Sequence, residues 1–306
     1  MFRRIATTLA VAVGGAGGAA SFVVAATPAG AAKQSACSNP AAKKSGTVAY
    51  RRLPGVPTRL TSLDVHTFAG ACDAPVVVWV HGGGYAVGDK ANQMTDKVRL
   101  AHEQGWVLVS VNYRLTQPGQ SWSAQYPDHY DDVAHALQWV HANVAKYGGD
   151  PDRIALLGHS AGADIVANVV TNPEYLARVG LQPSDLACFG PLDTEGFDKT
   201  AAGQAEQGQW QRALGNSPSY LHDTSGTVIA TADAGIPPAI GVVRGAPGRR
   251  AIETAFLARL AELGVPTTTI EARGLSHGDV NSRIGAPGDA VMTPPLVSFL
   301  DGCFRR

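Results

Sequence analysis

Apolar residues in this chain follow two alternating rhythms. Residues 58–68, TRLTSLDVHTF, switch between apolar and polar side chains at a period of two, which predicts an antiparallel strand with one solvated face. Residues 76–80 and 106–111 are unbroken apolar runs, as expected of strands covered on both faces. Between residues 131 and 146, Val133, Ala136, Leu137, Val140 and Val144 recur at helical spacing, and Gly148 and Gly149 close the segment. The same reading predicts a buried strand at 154–157 and a helix after Ser160 carrying Ile165, Val166, Val169 and Val170. Strands follow at 186–192 and 240–243. A helix at 252–263 comes next, with Ile252, Phe256, Leu260 and Leu263 on one stripe, and the last strand covers 267–272.

This succession predicts an α/β fold: a mostly parallel central sheet with helices on both faces. Residues 196–233 interrupt it. They are polar, rich in Gly, Gln and Ser, and carry Trp210 and Tyr220. They read as a small insertion before the penultimate strand, lying over the C-terminal edge of the sheet, where open α/β folds bind ligands.

Composition narrows the partners. With a net charge of +0 and 16% charged residues, the chain has no basic field to hold nucleic acid, so the expected partner is a small molecule. Oligomeric state is left open. Residues 1–31 begin with Arg3 and Arg4, continue through small and apolar residues, and end in an A-x-A-like site at Ala29, Gly30 and Ala31. They read as a secretory signal peptide, leaving a domain over 32–306. Gly14, Gly15, Gly17, Gly18 and Pro28 interrupt the run short of the ~20 firmly apolar residues of a membrane span. The expected product is therefore extracellular and not inserted in a membrane. Export makes disulfides the natural fate of Cys37, Cys72, Cys188 and Cys303, which contain no C-x-x-C pair. The expected pairs are Cys37–Cys72, tying the mature N-terminus to the first hairpin, and Cys188–Cys303, pinning the last helix to a strand.

The candidate chemistry centres on GHSAG, residues 158–162, placed between a predicted strand and a predicted helix. A sharp strand-to-helix turn needs small neighbours and exposes the hydroxyl of Ser160 at a helix N-terminus. HGGGY, residues 81–85, follows another buried strand. Its glycines let backbone N–H groups converge on a developing oxyanion, so Gly82 and Gly83, together with the Ala161 amide, are the expected oxyanion hole. Among the histidines, His277 in GLSHGD lies past the last strand, in a Gly-flanked loop, and is the candidate base. His66, His102, His129, His135, His141 and His222 read as surface or internally satisfied residues. Acyl transfer of this kind calls for no metal or organic cofactor, and none is expected.

Together with SLDVH, VVVWVHGGGY, VNYRL, YPDHYDDV, KYGGDPDRIALLGHSAGA, LDTEGFD and PPAIGVVRG, these motifs resemble the α/β-hydrolase superfamily. The likeness is to the HGGG-type esterase and lipase group, in the branch of feruloyl- and acetyl-esterase-like and arylformamidase-like enzymes. The resemblance runs over nearly the whole mature chain. It implies the α/β-hydrolase fold and a secreted serine hydrolase that cleaves carboxylic esters. Asp132 in YPDHYDDV reads as a structural anchor.

One element departs from the family. The turn that would carry the acid behind the histidine reads GAPGRR, with Gly248 at the acid position. A base needs an acceptor on its second ring nitrogen. Asp193 or Asp198 of LDTEGFD, Glu253, or a backbone carbonyl or water remain as sources; Asp193 is nearest a strand end, whereas Glu253 sits on a helix whose first turn tends to point it toward solvent or the helix's own amides. The missing acid also leaves open a catalytically impaired binding protein on the same fold. Substrate selection is expected from residues 196–233 and 117–125, with Tyr85, His159 and Trp122 as candidate substrate contacts.

Overall fold

The apolar runs become strands β1 (Gly46–Ala49), β2 (Ser62–His66), β3 (Ala74–Val80), β4 (Val107–Val111), β5 (Gly149–His159), β6 (Cys188–Leu192), β7 (Ala239–Val243) and β8 (Thr267–Glu271). A computed structural model describes Cys37, residues 42–201 and residues 206–305; the expected leader lies outside the described residues. The strands form one sheet in the order β1-β2-β4-β3-β5-β6-β7-β8. β1 pairs antiparallel with β2 and β2 with β4, and every pairing from β4 to β8 is parallel.

The period-two alternation sorts side chains onto two cores. Val76, Val78 and Val80 join the larger core under the helices Asp128–Asn143, Ala161–Thr171 and Pro247–Glu262. Val77 and Trp79 face the opposite core under Thr95–Gln104 and Thr293–Phe304. Both faces are therefore covered, which is why the central strands read as continuous apolar runs.

Two elements escape the sequence pattern. β1 is four residues long with its first two exposed, too short to show an alternation. Helix Thr95–Gln104 presents only a narrow buried stripe, Lys97, Leu100 and Ala101. The described residues of the 196–233 segment prove largely helical, with helices Gln207–Leu214, Pro218–Asp223 and Gly226–Ile229. Trp210, Ala213 and Leu214 are buried in the larger core, and Phe197 stacks on Phe256 with ring centroids 4.2 Å apart. The segment is therefore packed down as a wall of the domain.

Asp132 is fully buried. It accepts from Arg114 N at 2.9 Å and Nε at 2.7 Å and pairs with Arg51 at 3.1 Å, tying the loop after β4 to helix Asp128–Asn143. The four cysteines are joined as Cys37–Cys72 and Cys188–Cys303, with Cα separations of 5.9 and 6.0 Å. No helix among the described residues is long and apolar enough to cross a membrane.

Candidate active site

β5 ends at His159, helix Ala161–Thr171 starts one residue after Ser160, and the chain turns at the serine with φ 59° and ψ −123°. An L-residue holds this backbone only when its surroundings impose it. They do: a Cβ on Gly158 would sit 2.4 Å from the Gly162 carbonyl oxygen, and one on Gly162 2.3 Å from that of Val80. The G-x-S-x-G spacing is thus a packing requirement, and it leaves the Ser160 hydroxyl free of its own strand and helix.

Three side chains from separate elements meet here. His277 Nε2 lies 2.9 Å from Ser160 Oγ, and His277 Nδ1 lies 2.6 Å from Asp193 Oδ2. With a carboxylate at Nδ1, that nitrogen carries the proton and Nε2 turns its lone pair to the serine hydroxyl. His277 is not in a loop, as the flanking glycine suggested. It is the first residue of helix His277–Ser282, whose N-cap Ser276 accepts from Asp279 N at 3.1 Å while Asp279 accepts from Ser276 N at 2.9 Å.

Asp193 directly follows β6, is completely buried, and has φ 69°. Burial alone would raise its carboxyl, but the hydrogen bond with His277, the Arg249 charge, and contacts with Glu253 and Arg244 hold it well below the usual carboxylate range. Arg244 Nε donates to Oδ2, and Arg249 Nε donates to Oδ1 at 2.8 Å. Asp198 instead caps a turn, accepting from the backbone N–H of Thr200 at 3.0 Å. Gly248 has nothing within 4 Å of where a Cβ would lie. Glu253 does not point to solvent, as its place in the first turns of a helix suggested. It is buried, and its Oε2 accepts from Arg244 N at 3.0 Å. Burial, followed by hydrogen bonding with Asp193 and the Asp193 charge, pushes its carboxyl up to about 9.

The glycine loop borders the serine. A Cβ on Gly82 would lie 2.9 Å from both Ser160 Cβ and the His159 carbonyl oxygen. Among the described residues, the Gly82 and Gly83 amides donate to no acceptor, and Ala161 is the first residue of its helix, where N–H groups have no intrahelical partner. His81 is buried and stacks on Tyr113 with ring centroids 4.5 Å apart.

A cleft of about 620 Å³ opens over Ser160 and His277. Of the expected substrate contacts, His159 lines it. Its ring stands 4.5 Å from that of His277, and its Nε2–H donates to the His277 carbonyl at 2.9 Å. Tyr85 and Trp122 do not line it. Tyr85 is buried, with its hydroxyl donated to Asp164, itself paired at 2.6 Å with buried Lys199. Trp122 packs against the larger core. The cleft wall is completed instead by Asn92, Gln93 and Asn281, and by Gln209 and Arg212 from the insertion. Arg212 was readable from Trp210, Ala213 and Leu214, since burying that stripe turns the opposite face of a short helix outward, whereas Gln209 lies at the stripe's flank. His159, Asp193 and His277 also place potential metal-ligand atoms within 4.8 Å of one another, although His159 Nε2, both His277 nitrogens and Asp193 Oδ2 are already engaged in hydrogen bonds.

Known proteins resemble this chain in sequence and in fold. The Carboxylesterase family model matches residues 62–177. Carboxylesterase NlhH of Mycobacterium tuberculosis is 31% identical over 264 residues, covering 81% of this chain and 78% of that protein. The chain belongs to the carboxylesterase family of α/β-hydrolases. LipM of Mycobacterium tuberculosis, a probable carboxylic ester hydrolase, is 40% identical over 100 residues, and the match spans 33% of this chain and only 22% of that protein. Thermogutta terrifontis esterase 2 shares the fold at 20% identity with a TM-score of 0.65, covering 86% of this chain and 94% of that one. The carboxylesterase match to residues 62–177 contains the glycine loop and Ser160, whereas Asp193 and His277 lie beyond it.

Proposed function

We propose that this chain is a secreted hydrolase of small carboxylic esters, of the HGGG type, acting through an acyl-enzyme on Ser160. The observation that carries the reading is the continuous line from Ser160 Oγ through His277 to Asp193, at 2.9 and 2.6 Å, beside the amides of Gly82 and Gly83, which donate to no acceptor among the described residues. Ser160 Oγ attacks the ester carbonyl carbon as its proton passes to His277 Nε2. Asp193 stabilises the imidazolium, and the Gly82, Gly83 and Ala161 amides receive the oxyanion, each such donor being worth roughly 3 kcal/mol in the transition state. Collapse breaks the ester C–O bond, and His277 returns the proton to the leaving alkoxide oxygen. Water then attacks the acyl-enzyme with His277 again as base, releasing the acid and restoring Ser160.

The alternative of an impaired, binding-only protein was motivated by Gly248, and Asp193 supplies the acceptor that Gly248 lacks. Export is supported by the leader pattern in residues 1–31 and agrees with two disulfides. The test is labelling by a fluorophosphonate probe alongside hydrolysis of 4-nitrophenyl acetate. The parent chain is expected to react in both assays and Ser160→Ala in neither. Turnover unchanged in Ser160→Ala would overturn the assignment.

A further inference from the structure

Four carboxyl groups converge on one guanidinium in the wall behind the catalytic pair. Arg249 Nε donates to Asp193 Oδ1 at 2.8 Å and Nη2 to Glu206 Oε1 at 2.9 Å, while Glu195 and Glu253 oxygens lie at 3.4 and 3.5 Å. Only 10% of the Arg249 side chain is exposed. Glu206 immediately precedes helix Gln207–Leu214, the helix that brings Gln209 and Arg212 to the cleft, and it also accepts from the backbone N–H of Glu195 at 3.0 Å. A single planar cation therefore touches the acid behind His277 with one edge and the root of the cleft wall with the other. A guanidinium suits that task because its donors are fixed in a rigid fork.

We propose that Arg249 is a positioning residue that aims Asp193 at His277 and, through Glu206, holds the insertion helix in place over the cleft. The proposal rests on the reading of Ser160, His277 and Asp193 as a triad. Asp193 reaches the histidine from the end of β6, since the turn after β7 offers Gly248. A carboxylate so placed is free to rotate unless its far oxygen is held. Arg244 cannot hold it: its Nε bonds Oδ2, the oxygen that faces His277, and its Nη2 lies 3.1 Å from His277 Nδ1, where it competes with the histidine. Arg249 takes Oδ1 and leaves Oδ2 to the imidazole.

The charge of Arg249 carries a separate signature. The ionisable groups around the pair are Asp193 and Glu195 after β6, Glu206 on the insertion, Arg244 at the end of β7, Glu253 on Arg249's own helix, and His159 at the elbow. A buried cation in this set opposes formation of the imidazolium, so its removal moves the acid limb of the kcat/KM profile to higher pH.

The experiment compares Arg249→Met, Arg249→Lys and Glu206→Gln with the parent and Asp193→Asn, using 4-nitrophenyl acetate across pH 5 to 9. Arg249→Met is expected to lower kcat roughly 10- to 100-fold, the range found for outer partners of metal-bound histidines, and to raise the acid limb by on the order of one pH unit. Arg249→Lys keeps the charge but not the fork, so the acid limb stays near the parental one while kcat recovers only in part. Glu206→Gln is expected to raise KM without raising the acid limb, because it removes an anion and not a cation. A parental kcat or an unmoved acid limb in Arg249→Met overturns the proposal. Should Arg249→Met fail to fold, Arg249→Lys decides: a parental kcat overturns the proposal and a partial one supports it. If Asp193→Asn is nearly inactive while the Arg249 variants are parental, this inference fails and the triad stands. If Asp193→Asn keeps full turnover, the triad reading itself has failed.

Discussion

His159 donates its Nε2–H to the backbone carbonyl of His277 at 2.9 Å, and the two rings stand 4.5 Å apart. Burial, then the neighbouring His277 charge, lowers the His159 imidazole to about 3, so it is neutral at working pH and its one proton is the one this bond uses. The bond joins the end of β5 directly to His277, the first residue of its helix. His159→Ala is expected to lower kcat about fivefold, the value of one net hydrogen bond of ~1 kcal/mol, with KM little changed. His159→Gln, which keeps a donor, restores most of the loss. Steady-state kinetics on a 4-nitrophenyl ester decide it, and an unchanged kcat in the alanine variant removes His159 from the positioning of His277.

Asp193→Asn tests the acid directly. An amide can turn its NH2 to Nδ1 and select the wrong tautomer, and it has no charge to stabilise the imidazolium; the measured precedent for such a change is a loss of roughly 10⁴ in kcat. The substitution also strips Arg244 and Arg249 of a buried anion, which costs on the order of 3–5 kcal/mol in other proteins. Turnover is therefore to be measured well below the variant's own melting temperature, with circular dichroism confirming the fold. A loss smaller than about tenfold, against that precedent, means that His277 works without Asp193.

What the sequence makes visible here depends on how local the cause is. The Ser160 turn is legible because its glycines fall within five residues: Gly158 is required by the Gly162 carbonyl inside the turn, although Gly162 is itself required by the Val80 and His81 carbonyls at the end of β3. The proximity of Asp193 to His277 was only half legible: the order of strands suggested it, but Arg249 and Glu206, which lie 56 and 43 residues apart from their partners, carry no local signal. Glu253 was misjudged because helix position gives no account of the burial imposed by its neighbours β7 and Asp193. Tyr85 and Trp122 misled for a related reason. Aromatic residues near a glycine loop or in a polar loop fit a cleft as well as a core, and here both serve the core.

The two disulfides differ in the loops they close, 115 residues for Cys188–Cys303 and 35 for Cys37–Cys72. In the chain-entropy account, stabilisation rises with the logarithm of loop length, so Cys188–Cys303 should contribute about 1 kcal/mol more. It also joins the start of β6 to helix Thr293–Phe304, at the opposite end of that strand from Asp193. Urea unfolding of Cys188→Ala/Cys303→Ala and Cys37→Ala/Cys72→Ala is expected to show the larger loss in the first pair. Equal losses would mean that native packing, not loop closure, sets the value of these bonds.

Asp193 and Glu253 give the fold opposite responses to pH. Asp193 has a carboxyl held below its ordinary value of 3.8 in the native state, so its stabilisation is complete above that value and is lost as pH falls through the lowered one. Glu253 works the other way. Its ordinary value is 4.5, and burial beside Asp193 raises it to about 9, so the native state keeps a proton that the unfolded chain releases. Its favourable contribution is therefore complete below about pH 4.5 and declines as pH rises through about 9, by up to about 1.4 kcal/mol per pH unit. Glu253→Gln retains an oxygen for Arg244 N–H and a donor for Asp193 but cannot ionise, so it removes this decline. The melting temperature of the variant relative to the parent is expected to climb steadily from pH 5 to pH 8.5, with turnover at pH 7 within a few fold of parental. A melting difference that stays flat over that interval would mean that Glu253 is already ionised in the native protein, and that Arg249 neutralises it.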